Sequence, residues 1–391
     1  MPISFRERLA ALAEKHLIRE RYTRQGTQGA TISWERSNAD LGALTTSDGR
    51  DGTSLVNVSS NDYLGLAHHP ALQSGAITAM ASHGNGAGAS RLLSGNFALL
   101  DELENAVARW LGFEKALWFS SGYLANIGLV PALAEEGDHI FSDALNHAST
   151  IDGCRLSKAT LHIYPHRDVA ALERALQHCP NTGHKFILSE SVFSMDGDIA
   201  DVAKLRELAD QHDAFLVLDE AHALGCYGPQ GTGIARAQGV TPDVIIGTFG
   251  KALGSQGAFV AASQDVISWL WNRARSHVFA TAPHPAVVGS CLAAIQLMPT
   301  PEAAARRANL RRHIDRFGAA SAIVPWIIGA EADALAMAKK LADAGYWAQA
   351  VRPPTVAPGT SRVRLVLSAA HSDEQIETLR ALCQRYGFAQ K

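Results

Sequence analysis

Phe215-Leu216-Val217-Leu218-Asp219-Glu220-Ala221-His222 is an unbroken apolar run that turns abruptly into acids and an imidazole. A short run with no polar alternation is the pattern of a strand buried on both faces, as in parallel sheets covered by helices. The same pattern recurs along the chain at Ala116 to Phe119, His139 to Ser142, Leu161 to Tyr164, Lys185 to Ser189, Val244 to Gly247 and Ala258 to Ala261, with helical spacing between the runs. This alternation predicts an α/β fold, a mostly parallel sheet flanked by helices. Residues 55–298 form the large domain of that reading. Residues 1–54 are an N-terminal helix and segment: Phe5, Leu9, Leu12, His16 and Leu17 predict a helix over Phe5 to Tyr22, followed by a polar, Gly-rich stretch to Thr53. Residues 299–391 read as a small α+β C-terminal domain, with strands at Val324 to Gly329, Trp347 to Val351 and Arg362 to Leu367 and helices at Asp333 to Ala344 and Ser372 to Tyr386.

Composition narrows the function classes. At 391 residues, with 47% hydrophobic and 19% charged residues, the chain is globular rather than disordered or fibrous. A net charge of -3 argues against a phosphate-binding nucleic-acid surface and for small-molecule ligands. Arg6, Glu7 and Arg8 with no apolar stretch behind them do not fit a secretory signal, and Pro283, His284 and Pro285 interrupt the apolar run from Phe279 to Met298, so a cytoplasmic protein without a membrane span is expected. Five scattered cysteines read as reduced structural thiols. Sixteen histidines show no H-E-x-x-H or clustered ligand spacing, so no metal is expected.

In open α/β sheets ligands sit outside the carboxyl ends of strands, so polar residues just after apolar runs come first. Val244-Ile245-Ile246 ends in Gly247-Thr248-Phe249-Gly250-Lys251, and Phe119 runs through Ser120-Ser121-Gly122-Tyr123 into a helix. A lysine in such a place can be partly buried, and burial depresses an amine's pKa by up to ~3–5 units, leaving the neutral amine that condenses with a carbonyl. Asp219 at a neighbouring strand tip can hold a ring nitrogen protonated, and the Ser-Gly-Tyr turn offers N–H groups to a phosphate. Any one of these residues alone could be an ordinary turn former; together they point to one site. Asp219-Glu220-Ala221-His222 also spells a helicase box, but Gly250-Lys251 lies downstream, is followed by Ala252 and has no phosphate-loop spacing before it. The Gly84 to Arg91 stretch lacks both a preceding strand and the dinucleotide spacing.

Seven ordered blocks resemble the α-oxoamine synthase family of fold-type I pyridoxal-phosphate transferases: Ser59 to Leu66, Gly88 to Leu92, Ser120 to Tyr123, Asn146 to Ser149, Phe193 to Asp198, Asp219 to His222 and Gly247 to Lys251. The resemblance implies pyridoxal 5'-phosphate held as a Schiff base by Lys251, its ring nitrogen paired with Asp219, its phenolic oxygen with His222 and its ring face with His147. It assigns Gly122, Tyr123, Ser194, Thr248 and Thr281 to holding the cofactor and its phosphate, with Thr281 reaching across a homodimer boundary. Arg19, Asn61, Arg352, Thr355 and Arg364 are assigned to substrate. The implied reaction joins an amino acid to an acyl thioester with loss of carbon dioxide, the acyl group riding on coenzyme A or an acyl carrier protein. The segment Arg352 to Thr360 is similar to the biotin-pathway branch, which uses L-alanine and a pimeloyl thioester. A branch using glycine and an acetyl thioester is the alternative. An aminotransferase would share Lys251 and Asp219 but react with alanine alone.

Overall fold

The computed structural model describes residues 4–19, 21–36 and 54–388. Most of the expected polar stretch up to Thr53 lies outside the described residues. The chain divides into two compact units: Asp62–Ser194 with Asp198–Leu310, and Met1–Asn61 with Met195–Gly197 and Arg311–Lys391.

The first unit is built on one seven-stranded sheet. In spatial order its strands are Lys115–Phe119, Ala258–Ala262, Val244–Thr248, Ala214–Asp219, Lys185–Glu190, His139–Asp143 and Thr160–Tyr164. Only Ala258–Ala262 runs against its neighbours, and the rest pair in parallel from Val244–Thr248 outward. Central strands are buried along nearly their whole length, which is why they read as continuous apolar runs. The helices Gly122–Leu133 and Gln264–Arg273 supply core residues Ala125, Leu129, Ile267 and Leu270, which pack with Leu117, Val217, Ile246 and Val260 of the sheet. Elsewhere Gly75 and Gly289 let the helices Pro70–His83 and Pro285–Leu297 meet backbone to backbone; a Cβ on Gly75 would stand 2.6 Å from the Gly289 carbonyl oxygen.

Among its described residues the second unit holds two sheets. Tyr22–Gln25, Thr31–Arg36 and Ser54–Asn57 run antiparallel, and Tyr346–Trp347 joins them in parallel beside Ser54–Asn57. Ile323–Gly329, Ser361–Val366 and Gln349–Val351 form an antiparallel trio, with helices Glu331–Asp343 and Asp373–Arg385. The last helix opens with a reciprocal cap between Ser372 and Gln375.

Two expectations are corrected. The N-terminal helix spans Phe5–Glu14, not Phe5 to Tyr22. His16 takes a positive φ of 54°, the Leu17 N–H turns back to the Leu12 carbonyl, and Tyr22 already belongs to a strand. The expected strand Trp347 to Val351 is two strands that serve different sheets, parted at Ala348.

Candidate active site

The parallel strands deliver their carboxyl ends, at Asp143, Tyr164, Glu190, Asp219 and Thr248, to one edge of the sheet. Asp219 is fixed twice there: Oδ1 accepts from the Ala221 N–H at 2.9 Å, and Oδ2 from the Asn126 side-chain amide at 3.0 Å. The same amide nitrogen donates to Ser149 Oγ at 3.1 Å. Lys251 follows the next strand, Val244–Thr248, and its Nζ lies 2.7 Å from His222 Nε2. On the far side of that imidazole the Tyr63 hydroxyl is 2.6 Å from Nδ1, so the ring is held at both nitrogens.

His147 caps the helix Ala148–Leu156, its Nδ1 2.7 Å from Ser149 Oγ. Loss of hydration pushes its pKa below the ordinary imidazole value, and the Lys251 charge adds to that against the pull of Asp219. His147, Asp219 and Lys251 therefore share one electrostatic neighbourhood, with His147 neutral at neutral pH.

Ser121 caps the helix Gly122–Leu133 by accepting from Leu124 N, leaving the first-turn N–H groups at Gly122 and Tyr123 without helical acceptors. Nothing stands within 4 Å of where a Cβ on Gly122 would be, so that helix start is an open cradle for an anion. The Tyr123 hydroxyl donates to Asp152. Thr248 Oγ1 donates to the Gly257 carbonyl at 2.9 Å and accepts from Gly250 N at 3.1 Å. The Ser194 N–H donates to Glu190 at 3.2 Å, and exposed Thr281 forms a backbone bridge with Ser90. An amine, a carboxylate, a neutral imidazole and an open helix start match the carbonyl, ring nitrogen, ring face and phosphate of pyridoxal phosphate. The residues fit the group.

Three residues given no role by the sequence belong to this site. Asn126 and Tyr63 orient Asp219 and His222. Glu190, fully buried, stands level with Asp219 on the adjacent strand. Burial first, and the Asp219 charge second, push its pKa up to about 8 against the pull of Lys251. At neutral pH it is protonated, so it puts no second negative charge beside Asp219. Glu220 of the apparent helicase box holds the structure together, accepting from Ser191 Oγ, Ile234 N and Ala235 N at 2.8–3.0 Å.

Beside the site, His166 bridges Asp143 at 2.9 Å and Asp198 at 2.8 Å. Burial alone would lower its pKa, but the two carboxylates outweigh it and raise the value to about 9. A cation favoured in the fold contributes its full stabilisation below the unfolded value near 6.5 and loses it as pH rises through about 9. His166→Gln should therefore cost on the order of 2 kcal/mol in urea unfolding at pH 6 and much less at pH 9.5. An equal loss at both pH values would mean that packing, not charge, is what His166 supplies.

Arg19, Asn61, Arg352, Thr355 and Arg364 all lie in the second unit. Both terminal nitrogens of buried Arg364 donate to Asn61 Oδ1 at 3.1 Å. Exposed Arg19 reaches Thr355 Oγ1 at 3.5 Å, and Arg352 donates to the carbonyls of His16 and Ile18.

The aminotransferase class I and II family model matches residues 53–382. Among curated proteins, the 8-amino-7-oxononanoate synthase of Geobacter metallireducens is 43% identical over 374 residues, covering 92% of this chain and 95% of the relative. The chain belongs to this family, in its α-oxoamine synthase branch. A second branch member, the 8-amino-7-oxononanoate synthase of Paraburkholderia xenovorans, is 46% identical over 355 residues, 86% of this chain and 90% of the relative. A solved serine palmitoyltransferase from S. paucimobilis with bound PLP superposes with a TM-score of 0.88 at 27% identity, covering 98% of this chain and 96% of that one. The fold-type I architecture expected of an α-oxoamine synthase is the one observed. No helix among the described residues is long and apolar enough to cross a membrane.

Proposed function

We propose that this chain is an 8-amino-7-oxononanoate synthase, a pyridoxal-phosphate-dependent acyltransferase of biotin biosynthesis that condenses L-alanine with a pimeloyl thioester and releases carbon dioxide. The observation that carries the reading is the Lys251 amine, 2.7 Å from His222, on the same sheet edge as the doubly anchored Asp219. When bound, the cofactor supplies an electron sink for the negative charge left at the amino acid's Cα.

The chain's own residues do the rest. Lys251 Nζ anchors the cofactor and then takes the Cα proton of the amino acid, with His222 Nε2 at hydrogen-bond distance to hold or return a proton. Tyr63 keeps that imidazole in register. With the cofactor bound, Asp219 would hold a proton on the ring nitrogen, and His147, neutral and oriented by Ser149, would help hold the ring. The Gly122 and Tyr123 N–H groups, with Ser194, Thr248 and a Thr281 from a second copy, hold the phosphate. In this reading the working form is a homodimer, and it works in the cytoplasm. Arg364, oriented by Asn61, takes the amino-acid carboxylate. Arg19, Arg352 and Thr355 take the acyl donor, whether its carrier is coenzyme A or a carrier protein.

At fixed L-alanine, kcat/KM should be roughly ten- to a hundred-fold higher for a pimeloyl than for an acetyl thioester, the worth of a charge-assisted contact of ~1.5–3 kcal/mol to the distal carboxylate. Glycine should still react detectably, because one methyl group is worth only ~1–3 kcal/mol. A higher value for the acetyl donor would assign the chain to glycine acetyl transfer.

A further inference from the structure

Away from the strand ends that carry the catalytic lysine, the fold gathers three potential metal ligands that no motif announces. His139 opens the strand His139–Asp143, His162 lies in the edge strand Thr160–Tyr164, and Cys179 follows the helix Val169–Gln177. One ligand atom from each lies within 4.8 Å of the other two. His139 Nδ1 and His162 Nε2 are 3.1 Å apart. Two imidazole nitrogens bound at ~2.0–2.1 Å to one tetrahedral zinc stand about 3.3 Å apart, so the pair is already near ligating separation.

The surroundings hold this corner in place. The Phe141 ring stacks on His162 at 4.7 Å with 12° between planes, fixing the imidazole's tilt. Asp138 Oδ1 accepts from His184 N at 2.8 Å, the Asp138 carbonyl accepts from Thr160 N, and the His184 carbonyl accepts from His139 N. Gly183, at a φ of 71°, sits so close to Gly137 that a Cβ would stand 1.9 Å from the Gly137 oxygen. The segments bearing the two histidines are thus stitched together at their starts. His139 and Cys179 are buried and His162 is half-buried, so an ion would find two enclosed donors and one open side for water.

We infer that His139, His162 and Cys179 form a binding site for a zinc-type divalent ion, with water in the fourth position, that staples the edge strand to the sheet. Two imidazoles and a thiolate are a donor set that zinc takes with water in the remaining position. The Cys179 thiol gives up its proton to solvent when the ion binds, so binding tightens as pH rises. Lys185 is the cation facing this thiol; its Nζ donates to the His212 carbonyl at 3.3 Å.

The test uses pyridoxal-phosphate-loaded enzyme, so that Lys251 and His222 are already engaged, and titrates it with Zn²⁺ and separately with Co²⁺. One equivalent should bind, the cobalt form should show the visible bands of tetrahedral coordination with a thiolate ligand, and the unfolding midpoint should rise with Zn²⁺. Cys179→Ser and His162→Gln should each weaken Zn²⁺ by more than the ~10–100-fold that loss of a supporting residue costs, with acyl transfer unchanged. Cys383→Ser should leave the affinity intact. No binding at micromolar Zn²⁺, octahedral cobalt bands, or wild-type affinity in either ligand variant overturns the proposal.

Discussion

Lys251→Ala should abolish turnover, with a loss of at least ~10⁴-fold, and should leave no cofactor attached to the chain after borohydride reduction. The size of the loss follows from the lysine's two roles. In the proposed reading it anchors the cofactor covalently and then moves the Cα proton, and groups that act at the bond-making atom are the ones whose removal costs most. His222, at 2.7 Å from the missing nitrogen, cannot substitute, because its other ring nitrogen is engaged with Tyr63 and an imidazole forms no stable covalent link to an aldehyde. The fold should survive, since Lys251 is only half-buried and lies beyond the end of its strand. Its unfolding free energy should shift by no more than ~1 kcal/mol. Peptide mapping of the reduced wild-type protein should place the cofactor on Lys251. A variant that still carried the reduced cofactor would place the anchor on another lysine.

The same lysine shows what a sequence can and cannot disclose. Six strands of the main sheet are legible because burial on both faces suppresses polar alternation, while the edge strand Thr160–Tyr164 is largely exposed and shows only as a short β-type run; the observed boundaries extend the runs by a residue or so, as at Lys115 and Asp143. The strand ends are legible for the related reason that an apolar run must break where the chain meets solvent or a ligand. Hence Asp219 and Lys251 stand out without any coordinates. What escapes is whatever depends on register or on handedness. Glu190 matters because it is level with Asp219 on the adjacent strand, a relation fixed by pairing and not by spacing along the chain. Asn126 matters because its helix docks with that face toward Asp219. The helix expected to reach Tyr22 ends early because His16 adopts a left-handed conformation, which leaves no mark in hydrophobic periodicity. Trp347 to Val351 has one strand period throughout, yet its halves pair with different partners. His139, His162 and Cys179 are spaced like no metal motif, and only strand pairing brings the first two together.

Asp219→Asn should fold but lower kcat/KM by roughly ten- to a thousand-fold, with the loss visible before the acyl donor enters. The folding half of this expectation follows from the anchors. Both Asp219 oxygens accept from N–H donors, Ala221 N and the Asn126 amide. The introduced amide can keep the first through its carbonyl, but its NH₂ then faces the NH₂ of Asn126. Asn126 has a remedy: its Oδ1 is buried with no hydrogen-bond partner. Turning the Asn126 amide over would let Oδ1 accept from the introduced NH₂ while its own NH₂ moves to the buried place Oδ1 now holds, a cost of ~1–3 kcal/mol for one unsatisfied donor that the fold should withstand. The catalytic half follows from charge. A neutral amide cannot hold a proton on the ring nitrogen as a carboxylate does; such a pair is worth ~1–3 pKa units, each ~1.4 kcal/mol. Protonated Glu190, one strand away, does not replace the charge at neutral pH. Exchange of the alanine Cα proton in heavy water, followed without any thioester present, isolates this step. It should slow in proportion to the fall in kcat/KM, and a variant that exchanges at the wild-type rate would remove Asp219 from the role.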